Sequence, residues 1–233
     1  MKWNKQFEYP TSMRTSVEGR RHYQITGEKL PSVTTILGAT QSDEKKESIA
    51  KWTARVGEDE AIRVRDQAAS RGSNMHLHLE RHILGTGHKD LTDEGQVAGD
   101  MAQVIINKGL CDLSEIWGSE VVLFYPGLYA GATDLVGIYD YEDSIIDFKQ
   151  SNKLKREEYV EDYYYQIAAY SLAHKKQYGP ITQGLICVCT KDKIYQEFKM
   201  DQEKLDEYEA KWLERVDNYH KTKATSEPVP QES

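Results

Sequence analysis

Two segments rich in apolar residues flank a polar turn in one stretch of the chain, from Gly131 to Lys149, which reads GATDLVGIYDYEDSIIDFK. The segments Ala130–Tyr139 and Ser144–Lys149 are rich in the β-branched, apolar and aromatic residues that favour strands. The segment between them, Asp140 to Asp143, is mostly acidic and is typical of a tight turn. The pattern therefore predicts a β-hairpin.

The second strand of this hairpin carries the first candidate chemistry. Side chains alternate between the faces of a strand, so Asp147 and Lys149 should lie side by side on the face that also carries Ile145. Asp134 lies one strand back, where hairpin pairing would bring a second carboxylate close. Two hard oxygen donors and an amine are what a Mg²⁺-assisted hydrolysis requires. We therefore interpret the hairpin as a candidate metal-dependent phosphodiesterase centre.

The acid-x-Lys spacing is not specific, because it recurs elsewhere in the chain. The strongest competitor is the tripeptide from Glu197 to Lys199, which also lies on a predicted strand. Its preceding strand, Gly184–Val188, offers no acidic partner, whereas the hairpin offers Asp134. An ion pair on a solvated strand face, which contributes little to stability, remains the alternative interpretation of Asp147 and Lys149.

Hydrophobic periodicity and capping residues predict the remaining elements. The predicted helices begin at or just after Ser32 (to Gly38), Ser42 (to about Val56), Asp59 (to about Leu84, interrupted near Ser70–Ser73), Thr92 (to about Lys108), Glu157 (to Tyr178) and Asp201 (to about Tyr219). Ile49 and Trp52 are predicted to be core residues of the second helix. The further predicted strands are Phe7–Tyr9 and His22–Ile25 in a loose ribbon, then Ser119–Tyr125, Gly184–Cys189 and Ile194–Lys199.

These elements predict a mixed α/β fold, in which a central sheet is flanked by helices. The 233 residues suit one domain, residues 1–222. Residues 1–110 would form an N-terminal ribbon and helical region, and residues 111–222 the catalytic core. The Pro/Ser/Glu-rich end, residues 223–233, is predicted to be a disordered tail.

Composition narrows the possible classes of protein. No apolar run is long enough to cross a membrane, and the N-terminal sequence predicts neither a signal peptide nor a transit peptide, so we expect a cytoplasmic protein. The three cysteines lack the spacing of an iron–sulfur or zinc site. The net charge of −8 does not exclude a nucleic-acid partner, because local basic clusters can still contact phosphates.

One predicted helix places a histidine and a glutamate four residues apart. His76 and Glu80 would share a face beside the apolar stripe of Met75 and Leu79, so they point closer to the core than the pair His78 and His82. A buried histidine that is hydrogen-bonded to a glutamate on a surface helix is the alternative interpretation.

Several short motifs, taken in order, resemble one nuclease superfamily. Asp134, Asp147-x-Lys149 and Gln166-x-x-x-Tyr170 resemble the PD-(D/E)XK nucleases, and the helical segment Arg71-Gly72-Ser73-x-x-His76 is similar to their RecB-like branch. The segment PSVTTIL, which begins at Pro31, and the later Trp52 look like the mitochondrial genome maintenance exonucleases and their phage relatives.

The resemblance implies a restriction-endonuclease-like core and a stand-alone DNA exonuclease that degrades single-stranded DNA from free ends to short oligonucleotides. The sequence departs from the mitochondrial enzymes in lacking a targeting extension, so we expect a bacterial cell or phage-infected host as the setting, with roles in DNA replication, recombination or repair. It also lacks the four cysteines of the iron–sulfur members, so we expect no iron–sulfur cluster. No stable protein partner is predicted. A structure-specific endonuclease and a non-catalytic DNA-binding module with a nuclease-like fold remain the alternatives.

The expected site residues follow from the motifs and from the basic clusters. Mg²⁺ or Mn²⁺ would be held by Asp134, Asp147, the Phe148 carbonyl and His76. Lys149 would orient water or stabilise developing charge, Gln166 and Tyr170 would position the phosphate or the water, and Glu80 and Glu120 would be accessory. The expected DNA-binding residues are Arg63, Arg65, Arg71, Ser73, Lys153 and Lys155.

Overall fold

A computed structural model describes residues 1–226, which contain two β-sheets and six α-helices. The strands are β1 (Lys2–Trp3), β2 (Met13–Val17), β3 (Arg20–Ile25), β4 (Glu28–Pro31), β5 (Leu113–Tyr125), β6 (Tyr129–Tyr139), β7 (Glu142–Ser151), β8 (Gln183–Thr190) and β9 (Tyr195–Met200). The helices are α1 (Val33–Ala39), α2 (Asp43–Val56), α3 (Glu58–Ile83), α4 (Asp93–Gly109), α5 (Glu161–Gln177) and α6 (Gln202–Ser226).

The central sheet has six strands in the order β1-β5-β6-β7-β8-β9. Strands β5, β6 and β7 form an antiparallel meander, whereas β7 pairs with β8 in parallel. A parallel pair needs a crossover connection, which α5 supplies here. The predicted mixed sheet flanked by helices is thereby confirmed.

Each face of the central sheet has its own hydrophobic core. On one face, Ile145 and Ile186 pack with residues of α1, α5 and α6, including the fully buried Trp212. On the other face, Ile146 and Phe148 pack with residues of α3 and α4. The alternation of side chains along β7 thus divides the predicted apolar residues between two helical layers.

The N-terminal ribbon is a separate antiparallel sheet of three strands, β2-β3-β4. Its turns at Glu18-Gly19 and Thr26-Gly27 have positive φ, as their sequences indicate. The strand predicted at Phe7–Tyr9 is wrong, because these residues are irregular and pack their rings against Trp117 and Tyr178 instead. Strand β1, which pairs in parallel with β5, was not predicted.

Three predictions about the helices need correction. The interruption expected near Ser70–Ser73 is absent, because α3 continues through it while Gly72 lies against the Gln150 side chain. Helix α2 buries no residue, so the expected core role of Ile49 and Trp52 is wrong: α2 packs against α3 outside the sheet layers. Helix α6 continues to Ser226, and the rest of the predicted tail, residues 227–233, lies outside the described residues.

No helix in the described part of the chain is long and apolar enough to span a membrane.

An aromatic cluster around His174 holds the N-terminal segment against α5. The Phe7 and Trp117 rings lie beside the imidazole of His174. Its Nε2 lies 3.3 Å from the hydroxyl of Tyr9, and its Nδ1 lies 2.8 Å from the carbonyl oxygen of Gly179. Burial lowers the pKa of His174, so the folded protein favours the neutral imidazole.

We expect this histidine to destabilise the protein in acid. An unfolded histidine gains a proton at a pKa of about 6.5, whereas folded His174 resists protonation, so its contribution to stability is lost as the pH falls below about 6.5. Thermal unfolding of the wild type and His174→Gln at pH 7.5 and pH 5 measures this effect, and the variant should show the smaller decrease in Tm. An equal decrease in both proteins would contradict it.

Candidate active site

The β6–β7 hairpin brings the two predicted aspartates together. Asp140 and Tyr141 in its turn both have positive φ, which suits a two-residue hairpin loop, and Leu135 pairs with Ile146. In this register Asp134 lies beside the start of the Asp147-Phe148 peptide, and its Oδ2 accepts a hydrogen bond of 2.6 Å from the Phe148 amide. Asp134 and Asp147 are both buried.

Lys149 forms an ion pair with Asp147 on the same face of β7, as the alternation predicts. Burial disfavours the charge on Lys149, but the carboxylates of Asp147 and Asp134 outweigh burial and raise the pKa of Lys149. Burial also raises the pKa of Asp147 to about 6, against the opposing effect of Lys149. The pair is therefore not the solvated surface pair of the alternative interpretation.

His76 reaches this hairpin from α3. Its Nδ1 lies 3.1 Å from Oδ1 of Asp134. Burial disfavours the imidazolium, but Asp134 outweighs burial and raises the pKa of His76 to about 9. Burial likewise opposes the charge on Asp134, and His76 outweighs it, so the pKa of Asp134 is lowered.

Glu120 on β5 completes a cluster that sequence reasoning placed only partly. Ligand atoms of His76, Glu120 and Asp134 all lie within 4.8 Å of one another. The backbone of Glu120 is left-handed, with φ of 53°, which is uncommon for a residue other than glycine and is often associated with functional sites. Burial and the charge of Asp134 raise the pKa of Glu120 to about 7.

These residues line one cavity of about 750 Å³, which we call the carboxylate cavity. Its lining includes most of the predicted site residues, namely Ser73, His76, Glu80, Glu120, Asp134, Asp147, Lys149, Gln166 and Tyr170. The amide of Gln166 donates a hydrogen bond of 2.9 Å to the Tyr170 hydroxyl. Gly131 lies under the Tyr170 ring, where an added Cβ would come within 2.6 Å of a ring carbon. The absence of a side chain at Gly131 therefore makes room for the Tyr170 ring in the cavity.

The basic residues predicted to bind DNA lie elsewhere. Arg63 and Arg65 pair with Glu60 and Asp66 on the exposed side of α3. The Arg71 guanidinium donates to the side-chain oxygens of Gln150 and Asn152. Arg63, Arg71 and Lys153 contribute to a second cavity of about 500 Å³, which we call the basic cavity. The backbone of Lys155 is hydrogen-bonded to the Gln196 side chain. None of these basic side chains lines the carboxylate cavity.

Other lining residues of the carboxylate cavity were not predicted. The ribbon contributes Arg14, Arg21 and Tyr23, and the start of α1 contributes Ser32 and Thr34. The sequence marks the ribbon only as a short polar segment with turn signals, so nothing in it indicates that the ribbon faces the hairpin.

The donor set fits a hard divalent cation. Carboxylate oxygens suit both Mg²⁺ and Mn²⁺, and Mn²⁺, as a transition metal, also accepts an imidazole nitrogen. His76, Glu120 and Asp134 offer such donors at mutually compatible positions, and Asp147 lines the same cavity. Glu120, which the sequence predicts as an accessory residue, has its carboxylate among these closely grouped donors.

Comparison with known proteins identifies a relative by sequence. The chain is 31% identical over 215 residues to mitochondrial genome maintenance exonuclease 1 of Mus musculus, an alignment that covers 86% of this chain and 62% of that protein. This chain thus spans less than two thirds of the length of its relative. The resemblance predicted from the sequence motifs is confirmed by this match.

Other comparisons add little. No protein-family model matches the chain. Among solved structures, a protein named Putative exonuclease from Eubacterium rectale superposes with a TM-score of 0.44 and 14% identity, over 64% of this chain and 68% of that one.

Proposed function

Because the chain is homologous to mitochondrial genome maintenance exonuclease 1, we propose that it is a metal-dependent nuclease that hydrolyses single-stranded DNA from free ends to short oligonucleotides. One observation carries the proposal. The hairpin holds Asp134, Asp147 and Lys149 on one face, within a cavity that His76 and Glu120 also line. Two buried carboxylates beside a partly buried lysine favour a ligand that brings a compensating positive charge.

The proposed metal site uses the cluster described above. Asp134, Glu120 and His76 would hold a Mg²⁺ or Mn²⁺ ion, together with Asp147 and the carbonyl group of Phe148. Such an ion, when bound, lowers the pKa of a coordinated water and neutralises charge on the phosphate. His76 must lose its proton before it can serve as a ligand. The cation would then take the place of the His76 proton, which Asp134 stabilises when no metal is bound.

Lys149 acts as a charged group in this proposal. Its raised pKa keeps the ammonium protonated at neutral pH, so it cannot accept a proton from water. It can donate hydrogen bonds to the attacking water or to a phosphate oxygen. We therefore assign Lys149 to orientation and to stabilisation of the developing negative charge.

Gln166 and Tyr170 are the proposed positioning pair. Because the Gln166 amide donates to the Tyr170 oxygen, the phenolic hydrogen remains available to a phosphate oxygen in the cavity. Burial raises the pKa of Tyr170 well above its usual value, so the phenol stays a neutral donor. The pair thus offers a fixed donor on α5, opposite the carboxylates of the hairpin.

The basic cavity is a proposed path for DNA outside the carboxylate cavity. Arg63, Arg71 and Lys153 line it, together with Lys191, which was not predicted. Arg71 also connects the two cavities, because it precedes Gly72 and Ser73 on α3 and bonds to Gln150 on β7. A single strand that leaves the carboxylate cavity along α3 would meet these cations next.

We expect the purified protein to shorten end-labelled single-stranded DNA in Mg²⁺ or Mn²⁺ and to stop when EDTA removes the ion. Product lengths on a denaturing gel measure the cleavage. A closed circular single strand of the same sequence has no ends, so it should survive; its cleavage would favour the structure-specific endonuclease. DNA binding without any cleavage in either metal would favour the non-catalytic module instead.

A further inference from the structure

The ribbon presents two arginines to the carboxylate cavity. Arg14 on β2 pairs in register with Tyr23 on β3, and Arg21 lies two residues before Tyr23. Residues opposite one another, and residues two apart along a strand, share a face of a sheet. Arg14, Arg21 and Tyr23 therefore share the face of the ribbon that lines the cavity.

The position of this face is fixed by contacts with the start of α1 and with β6. The carbonyl oxygen of Arg21 accepts hydrogen bonds from the Ser32 amide (3.0 Å) and from the Thr35 hydroxyl (2.7 Å), so the start of α1 holds this part of β3. Tyr23 packs with Ala130 in a small core between the ribbon and β6. The same strand, β6, carries Asp134, so the distance between the arginines and the carboxylates is set by packing.

Two charged pairs in the cavity, Asp147 with Lys149 and Asp134 with His76, lie in contact, whereas other charged residues of its lining do not pair with each other. Neither Arg14 nor Arg21 forms an ion pair with any acidic residue between positions 1 and 226, and Arg14 lies only at long range over the Tyr23 ring. Glu80 and Glu120 line the same cavity and also lack an ion pair within the described residues. Acidic and basic groups that share a cavity without pairing with each other are available to a ligand that brings both charges, such as phosphate groups together with a metal cation.

We propose that Arg14 and Arg21 bind backbone phosphates of a single-stranded nucleic acid next to the phosphodiester held over Asp134 and Asp147. This inference rests on the proposed function, because it takes the carboxylates as the metal-binding part of the cavity. A guanidinium group can donate two parallel hydrogen bonds to one phosphate, which fixes the position of the strand as well as attracting it. The ribbon therefore sets which phosphodiester reaches the metal site.

The chain offers a matched control. Arg20 precedes Arg21 on the same strand and is also exposed, but its side chain lies on the opposite face and does not line the cavity. Arg14→Gln, Arg21→Gln and Arg20→Gln each remove one positive charge from the same small sheet, and the variant that combines Arg14→Gln with Arg21→Gln removes two. Circular dichroism and thermal unfolding show whether each variant keeps its fold.

Binding is measured with fluorescein-labelled oligothymidylate in Ca²⁺ at several KCl concentrations, with the length of the oligonucleotide checked on a gel afterwards. We expect Arg14→Gln and Arg21→Gln each to weaken binding about tenfold at low salt and to reduce the slope of log Kd against log salt by about 0.7 per lost phosphate contact. Arg20→Gln should bind like the wild type. In Mg²⁺ the two arginine variants should raise KM more than they lower kcat.

Several outcomes would overturn the inference. Wild-type affinity and salt dependence in the double variant, an equal loss in Arg20→Gln, or no binding by the wild type would each do so. An effect seen only with an oligonucleotide that carries a terminal phosphate would overturn the assignment to backbone phosphates in favour of an end-binding site. Failure of the proposed function gives a different result. A protein that binds DNA through these arginines but never cleaves it would support the inference and contradict the proposed nuclease activity.

Discussion

Replacing Lys149 by alanine is expected to reduce cleavage of single-stranded DNA by about 10²–10³-fold, with Asp147→Asn at least as damaging. Asp147 is buried and Lys149 is partly buried in one ion pair, and Lys149 is the only lysine that lines the carboxylate cavity of the described chain. Without it, the carboxylate of Asp147 loses its counterion, and its pKa should rise beyond about 6. The measurement is kcat on end-labelled DNA in saturating Mg²⁺.

The matched control is the second acid-x-Lys tripeptide on a strand. Lys199 stands two residues after Glu197 on β9, yet it is exposed and pairs with Asp140 at 3.3 Å. Its partner strand, β8, contains no acidic residue. Lys199→Ala should therefore cleave like the wild type. Breaking a buried pair can also cost about 3–5 kcal/mol of stability, so Lys149→Met and a thermal unfolding curve separate lost chemistry from lost fold. Cleavage at the wild-type rate by folded Lys149→Ala and Lys149→Met would refute the role of the pair.

The sequence predicts the hairpin and its chemistry because both depend on local rules. Alternation along β7 places Asp147 beside Lys149, and the helical spacing of α3 places His76 and Glu80 on one face, whatever surrounds them. The acid-x-Lys pattern becomes specific only when the preceding strand also supplies an acid. The hairpin meets that condition with Asp134, and β9 does not.

The remaining parts of the site depend on contacts between distant segments. The direction of the Glu120 side chain follows from a left-handed backbone in the middle of β5, which no propensity of glutamate indicates. The ribbon lies over the hairpin because Tyr23 and Ala130 share a core, a contact between strands remote in sequence. Arg71, which stays a predicted DNA-binding residue, bonds to two amide side chains near the end of β7, and nothing in the sequence indicates these contacts.

The exposure of α2 has a similar origin. Its stripe of Ile49 and Trp52 has the spacing of a buried helix face. One face of the central sheet is covered by α3 and α4, however, and α2 packs against α3 instead. Periodicity therefore predicts the helix itself and not its partner. The same limit applies to α3, where Gly72 suggests a break but serves close packing against Gln150.

Asp134→Asn and Glu120→Gln are expected to weaken Mn²⁺ binding by about 100-fold or more, because each removes a charged oxygen donor from the most closely grouped set in the described chain. Asp134 should have the larger effect, since it also holds His76 and accepts the Phe148 amide. Glu80→Gln is the control: Glu80 lines the same cavity but stands outside the group of three donors, so its loss should change Mn²⁺ affinity less than tenfold. Calorimetric titration with Mn²⁺, without DNA, gives the affinities, and the increase in Tm at fixed Mn²⁺ gives an independent measure. If Glu80→Gln lost as much affinity as Glu120→Gln, the cation would be bound by the cavity as a whole and the three-donor cluster would not be its site.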